Sequence, residues 1–150
     1  MTVHFRRLPL RESVALLRRN NVGRMAFAFR NRVDVVPLHY VYSGGWLYGR
    51  TSVGPKLLAL RHSQWVAFEV DEIDGVFDWR SVVVHGSLYL LDPERPPRDP
   101  GARRRAIRLL RRIVPETMAA DDPVAFRDVF FRVFADEVTG RAAKASDPQR

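Results

Sequence analysis

Three β-prone segments follow one another between Gly23 and Arg50 with only tight turns between them, and that spacing restricts the fold more than any other feature. Met25, Phe27 and Phe29 alternate with Ala26 and Ala28, the period-two pattern of a half-buried strand. Asn31-Arg32 leaves room for no more than a turn before the long run from Val33 to Tyr42. Ser43-Gly44-Gly45 reads as a hairpin turn, and Trp46 to Arg50 as the returning strand. Parallel neighbours would need a long crossover between strands, so these three form an antiparallel meander. Pro37 removes one ladder donor from the middle segment and predicts an edge or a bulge there.

The rest of the chain is consistent with that start. Leu10, Val14 and Leu17 recur at helical spacing and predict a short amphipathic helix ahead of Asn20-Asn21. Helical character returns from Pro55 to His62, and Gln64 to Asp71 reads as a strand. A polar loop from Glu72 to Asp78 separates it from a strand over Ser81 to Leu91. Four prolines between Asp92 and Gly101 mark an exposed connector. An arginine-rich helix comes next. A last strand over Val129 to Val138 then leads into a turn at Thr139-Gly140-Arg141, and the tail from Ala142 is expected to fray. Six antiparallel strands with few helices predict one mainly β domain over residues 1–150, a closed or split barrel with peripheral helices.

Composition excludes several kinds of chemistry. There is no cysteine, hence no disulfide, thiol nucleophile or cysteine metal site. His4, His39, His62 and His85 lie too far apart to suggest metal ligands, and no nucleophile elbow surrounds a serine. No apolar run is long enough to span a bilayer and the N-terminus lacks an apolar signal core, so no membrane association and a cytoplasmic location are expected. The net charge of +8 comes almost wholly from arginine, since Lys56 and Lys144 are the only lysines. Its dense patch, Arg103, Arg104, Arg105, Arg108, Arg111 and Arg112, is interleaved with Ile107, Leu110 and Ile113. That is the pattern of a solvated amphipathic helix, without the aromatics of a single-strand binder, and a nucleic-acid partner is not expected.

The strongest candidate site follows the third strand. Arg50, Thr51 and Ser52 lead through Gly54-Pro55 into Lys56 at the start of a helical segment. Two hydroxyls, a fork-shaped cation, a point cation and a glycine that admits close backbone approach make a small anion site, ready for a phosphate. The same residues also describe an ordinary surface turn.

Several motifs in order resemble a known family. They are Val22-Gly23-Arg24-Met25-Ala26-Phe27, Val36-Pro37-Leu38-His39-Tyr40-Val41-Tyr42, Arg50-Thr51 through Lys56-Leu57, and Val66-Ala67-Phe68-Glu69-Val70-Asp71, followed by Trp79-Arg80-Ser81-Val82-Val83-Val84-His85-Gly86 and Val138-Thr139-Gly140-Arg141. Together the chain resembles the pyridoxamine 5′-phosphate oxidase-like, FMN-binding split-barrel proteins, and within them the nitroimidazole-resistance-type flavoproteins. The resemblance implies a six-stranded split barrel, a homodimer, and one FMN in each of two clefts between subunits. It implies that Arg50, Thr51, Ser52 and Lys56 hold the FMN phosphate and that the backbone of Pro37, Leu38 and His39 lies against the flavin ring. Trp79, Arg80 and Ser81 would reach that ring from the other subunit. Arg80 is then the candidate cation for charge on the reduced flavin, with pairing to Asp78 or Glu69 as the alternative. Hydride transfer needs no acid or base from the protein, so no catalytic residue is assigned.

The chain also departs from that pattern. The C-terminal residues that hold the substrate phosphate in true pyridoxamine phosphate oxidases have no counterpart here, and Pro55 replaces a polar or basic residue. The expected reaction is therefore reduction of a small organic acceptor rather than vitamin B6 oxidation. The deazaflavin F420 on the same fold, or flavin binding without turnover, are the alternatives.

Overall fold

The computed structural model describes residues 1–52, 54, 65–94 and 98–147. Among them are eight strands and two helices: β1 (Thr2–Leu8), α1 (Leu10–Arg19), β2 (Val22–Phe29), β3 (Arg32–Ser43), β4 (Trp46–Thr51), β5 (Trp65–Gly75), β6 (Asp78–Leu90), α2 (Pro100–Leu110), β7 (Val129–Phe134) and β8 (Glu137–Ser146). The helix expected over Pro55 to His62 lies outside the described residues.

The meander forms as its spacing requires. Arg30 and Asn31 join β2 to β3 with φ of 50° and 60°, and Gly44 and Gly45 join β3 to β4 with φ of 58° and 86°. Both are two-residue hairpin turns whose positive φ matches the twist of the flanking strands. Met25 and Phe27 point into the core, while Ala28 faces solvent.

Six strands close into a ring in the order β6-β5-β2-β3-β4-β7, and β7 returns to β6. The ring is split at β6. Residues Asp78 to His85 pair with β8, whereas Leu88 to Leu90 pair with β7. Gly86 stands at the fork, where a Cβ would run into the Phe134 carbonyl. β8 and β1 extend the sheet beyond β6, so two strands are added to the six-stranded ring. The fold is a split β-barrel with peripheral helices.

Met25, Phe27, Phe68, Val70, Val82, Val84, Phe131 and Val133 fill the barrel. Each large side chain removed from water contributes about 1.5–3 kcal/mol before the entropy of ordering it is counted. α1 covers the barrel through Leu16 and Leu17, both fully buried, and the Tyr40 hydroxyl donates to the Leu17 carbonyl at 2.7 Å. Burial pushes the Tyr40 phenol well above its usual range, so it remains a donor at any ordinary pH. A second core lies under α2, where Ala102, Ala106, Leu109 and Leu110 meet Val41, Tyr48 and Phe130. Asp99 caps that helix by accepting from the Ala102 N–H at 2.9 Å, and Pro100 occupies its first turn.

Four local expectations are corrected. The buried face of α1 is Ser13, Leu16 and Leu17, and Leu10 is exposed, because the helix rests on β8, where Ser13 lies against Gly140. The acidic stretch is not a loop: β5 and β6 continue as a hairpin to a turn at Val76-Phe77. Thr139-Gly140-Arg141 is strand rather than turn, and the preceding hairpin bend falls between Phe134 and Glu137. Ala142 to Ser146 pair with Arg6 to Thr2 instead of fraying.

Candidate functional site

The predicted residues fall into two neighbourhoods. The first is the end of β4. Strand alternation turns Gly49 inward onto the Phe131 ring and Arg50 outward, towards the segment between α2 and β7. There the Arg50 side chain is only 5% exposed. Its Nε donates to the Arg127 carbonyl at 2.6 Å, and its two terminal nitrogens donate to Asp122 at 3.3 and 2.8 Å. Three of its five N–H donors are thus committed within the chain, and its plane lies 5.3 Å from the Phe130 ring centroid. Asp122 also accepts from the N–H groups of Met118 and Val124, at 2.9 and 3.1 Å. The Arg50 hydrogen bond, helped by those two amides, holds the Asp122 carboxyl down at about 2.

Beyond Arg50 the strand end opens. Thr51 pairs with Val129 and is half-buried, Ser52 is exposed, and no described residue lies within 4 Å of where a Cβ on Gly54 would stand. Lys56 lies outside the described residues.

The second neighbourhood is the outer face of the sheet. His39 lies opposite Val22 and Pro37 opposite Arg24, and both His39 and Pro37 are exposed. Leu38, between them, points into the core. Among the described residues, Arg32 to His39 pair only with β2, because β4 pairs with Tyr40 to Ser43. Pro37 therefore sits on an edge, as its missing N–H requires.

Across the strands from Pro37, Arg24 bridges Glu69 at 2.9 Å and Asp71 at 2.7 Å. The Ser81 hydroxyl donates to Glu69 at 2.8 Å. Partial burial and the adjacent Asp71 carboxylate raise the Glu69 pKa, against the pull of Ser81 and Arg24. Trp79 is on this face too, 6.4 Å from the ring of Phe5.

Arg80 is not on this face. It lies between Trp79 and Ser81 in the strand and so points to the opposite side. There its Nε donates to Glu72 at 3.0 Å and its terminal nitrogen reaches Asp74 at 3.3 Å. Glu72 also accepts a fork from Arg19 at 2.8 and 2.7 Å and one bond from Asn20 at 2.7 Å. Arg19 first, with Asn20 and Arg80, pulls its carboxyl down to about 2. The cluster ties the end of α1 to the β5–β6 hairpin.

The outer face thus assembles Pro37, His39, Trp79 and Ser81. It leaves Arg50 and Arg80 in salt bridges elsewhere. Arg24, Glu69 and Asp71 were not among the predicted site residues. Their signal was the period-two alternation that puts Arg24 on the polar side of β2 and both acids on one side of β5. Among the described residues no group of acids and histidines could hold a metal, and no helix is long and apolar enough to cross a membrane.

The profile of the pyridoxamine 5′-phosphate oxidase family matches residues 9–142. The chain belongs to that family. Among solved structures it is similar to an FAD-binding protein from Mesorhizobium loti, with 31% identity, a TM-score of 0.74, and coverage of 96% of this chain and 100% of that one. An FAD-binding protein from Mycobacterium smegmatis is 24% identical with a TM-score of 0.64, covering 92% of this chain and 98% of the other. A candidate 5-nitroimidazole antibiotic resistance protein from Bacteroides thetaiotaomicron is 16% identical with a TM-score of 0.71, covering 95% and 89%. The last two likenesses establish the shared fold.

Proposed function

We propose that this chain binds a flavin, FMN, and passes hydride or electrons from it to a small organic acceptor. The observation that supports flavin binding in this reading is the likeness, over nearly the whole of both chains, to the Mesorhizobium loti protein described as FAD-binding. The residues present suit the group. Thr51 and Ser52 offer hydroxyl donors at an open strand end, with Lys56 to follow, and suit the phosphate. Arg50 braces that strand end through Asp122 and the Arg127 carbonyl. The backbone edge from Pro37 to His39 suits the polar rim of the ring. When bound, the flavin supplies the redox chemistry, and the chain supplies position and electrostatics.

The working unit in this reading is a homodimer. Val22, Val33, Val35 and Trp65 are between 50% and 71% exposed on the outer sheet face, an apolar surface that a second copy would cover. Trp79 and Ser81 then come to the ring from that copy. Arg80 keeps its partners Glu72 and Asp74 and orients the strand that carries them.

The test is flavin affinity in Lys56→Ala and Ser52→Ala, measured by titration of FMN against the purified protein. Each loss should weaken binding by about tenfold. Unchanged affinity in both would remove the phosphate assignment. FAD is the second reading, favoured by the 31% identical structure described as FAD-binding. Chromatography of the released cofactor separates FMN, FAD and F420.

A further inference from the structure

The extra strands β1 and β8 build a surface whose arginines the flavin reading does not use. Arg7 and Arg141 face each other directly across the β1–β8 ladder, and the same register row continues to Ser81. Like charges directly opposite on neighbouring strands repel. Neither guanidinium has a hydrogen-bond or ion-pair partner among the described residues. The nearest carboxylate in that row, Asp71 opposite Ser81, is bound to Arg24 at 2.7 Å. Two residues along the same face, Phe5, Ala143 and Trp79 form the next row. Phe5 is 69% exposed, and its ring and that of Trp79 lie 6.4 Å apart at 56°, with the small Ala143 buried between them. The two rows line an open pocket of about 480 Å³ bounded by Phe5, Arg6, Arg7, Trp79, Arg141 and Ala142.

We infer that this pocket binds a small planar aromatic molecule carrying one anionic group, of the aromatic carboxylate class. The carboxylate takes the paired donors of Arg7 and Arg141 and relieves their repulsion. The ring lies on the shelf of Phe5 and Trp79, where apolar area and aromatic contact supply the rest. The volume is within the range of small-ligand pockets and suits one or two fused rings. The site lies on this chain's sheet face and shares Trp79 with the proposed flavin cleft, while Arg7 and Arg141 have no part in that cleft.

The experiment titrates 1-naphthoate and its uncharged analogue 1-naphthamide into the full chain, followed by nuclear magnetic resonance of the tryptophan indole signals. The carboxylate should bind about five- to tenfold tighter than the amide, and added salt should erode that preference. Arg7→Gln combined with Arg141→Gln should abolish the preference while leaving amide binding in place. Trp79→Ala should weaken both ligands. Equal binding of acid and amide, or no shift at millimolar ligand, would overturn the inference. A double arginine variant that changes the oligomeric state but not naphthoate binding would also overturn it, and would assign the arginine pair to a protein contact. FMN affinity measured on the double arginine variant keeps the two readings apart: it should be unchanged there, whereas Trp79→Ala bears on both sites.

Discussion

Arg50 and Asp122 form a two-point salt bridge, at 3.3 and 2.8 Å, between the end of β4 and the segment joining α2 to β7. Both side chains are almost wholly removed from solvent. A buried pair of this kind is costly to break from one side, because the remaining charge has no partner. Arg50→Ala and Asp122→Asn should each lower the melting temperature by several degrees, with Arg50→Lys in between because it keeps charge but loses the fork. Thermal unfolding followed by circular dichroism checks the order. Lys56→Ala should leave the melting temperature unchanged and affect only flavin affinity, which separates bracing from binding.

Acid should act first on carboxylates held low in the folded state. Glu72, at about 2 against an ordinary 4.5, contributes stability that is fully present above its unfolded value and is lost as pH falls from about 4.5 towards 2. Asp122 has the same sign over a window from 3.8 down to about 2. Glu69 has the opposite sign, because its pKa is raised: its contribution is present at low pH and is lost as pH rises through the folded value. Glu72→Gln should therefore cost about 1 kcal/mol at neutral pH and make the acid limb of the stability profile shallower. Urea unfolding at several pH values measures it. A profile unchanged by the substitution would show that the Arg19–Glu72–Arg80 cluster contributes no net stability.

Gly86→Ala should destabilise the fold by about 3 kcal/mol or more, since the added methyl meets the Phe134 backbone carbonyl where β6 parts from β7 and β8. Gly54→Ala should be nearly neutral, as no described residue lies within 4 Å of the added methyl. Denaturant midpoints of the two variants compare the sites directly.

The ring of strands was legible because its residues alternate. Met25 and Phe27 against Ala26 and Ala28 announce a buried face, and the Arg30-Asn31 and Gly44-Gly45 turns announce the meander. The added strands were not. β1 exposes nearly all of Thr2 to Arg7, so no alternation marks it, and in β8 the neighbours Ala142 and Ala143 are both buried, which breaks the alternation there. Leu10 extended the apolar spacing of α1 but faces solvent, because Gly140 draws Ser13 rather than a larger side chain onto β8. The site was half legible. Local alternation fixes that Trp79 and Ser81 share a face and that Arg80 does not. The Arg50–Asp122 pair joins residues 72 apart in sequence, and nothing near Arg50 signals it.

The exposed apolar stripe on β2, β3 and β5 gives a prediction for assembly. Val35, 61% exposed, lies near its centre, opposite Ala26. Val35→Glu should convert a dimer to a monomer without loss of secondary structure, as read by light scattering and circular dichroism. A wild-type chain that is monomeric at high concentration would remove the shared cleft from the proposal.

The most direct measurement is the visible absorption spectrum of the purified protein before and after adding FMN, followed by release and identification of the bound cofactor. Flavin bands, with FMN released on denaturation at close to one per chain, are the expected result. A colourless protein that takes up no FMN or FAD at micromolar concentration would contradict the proposed function and leave only the split barrel in place.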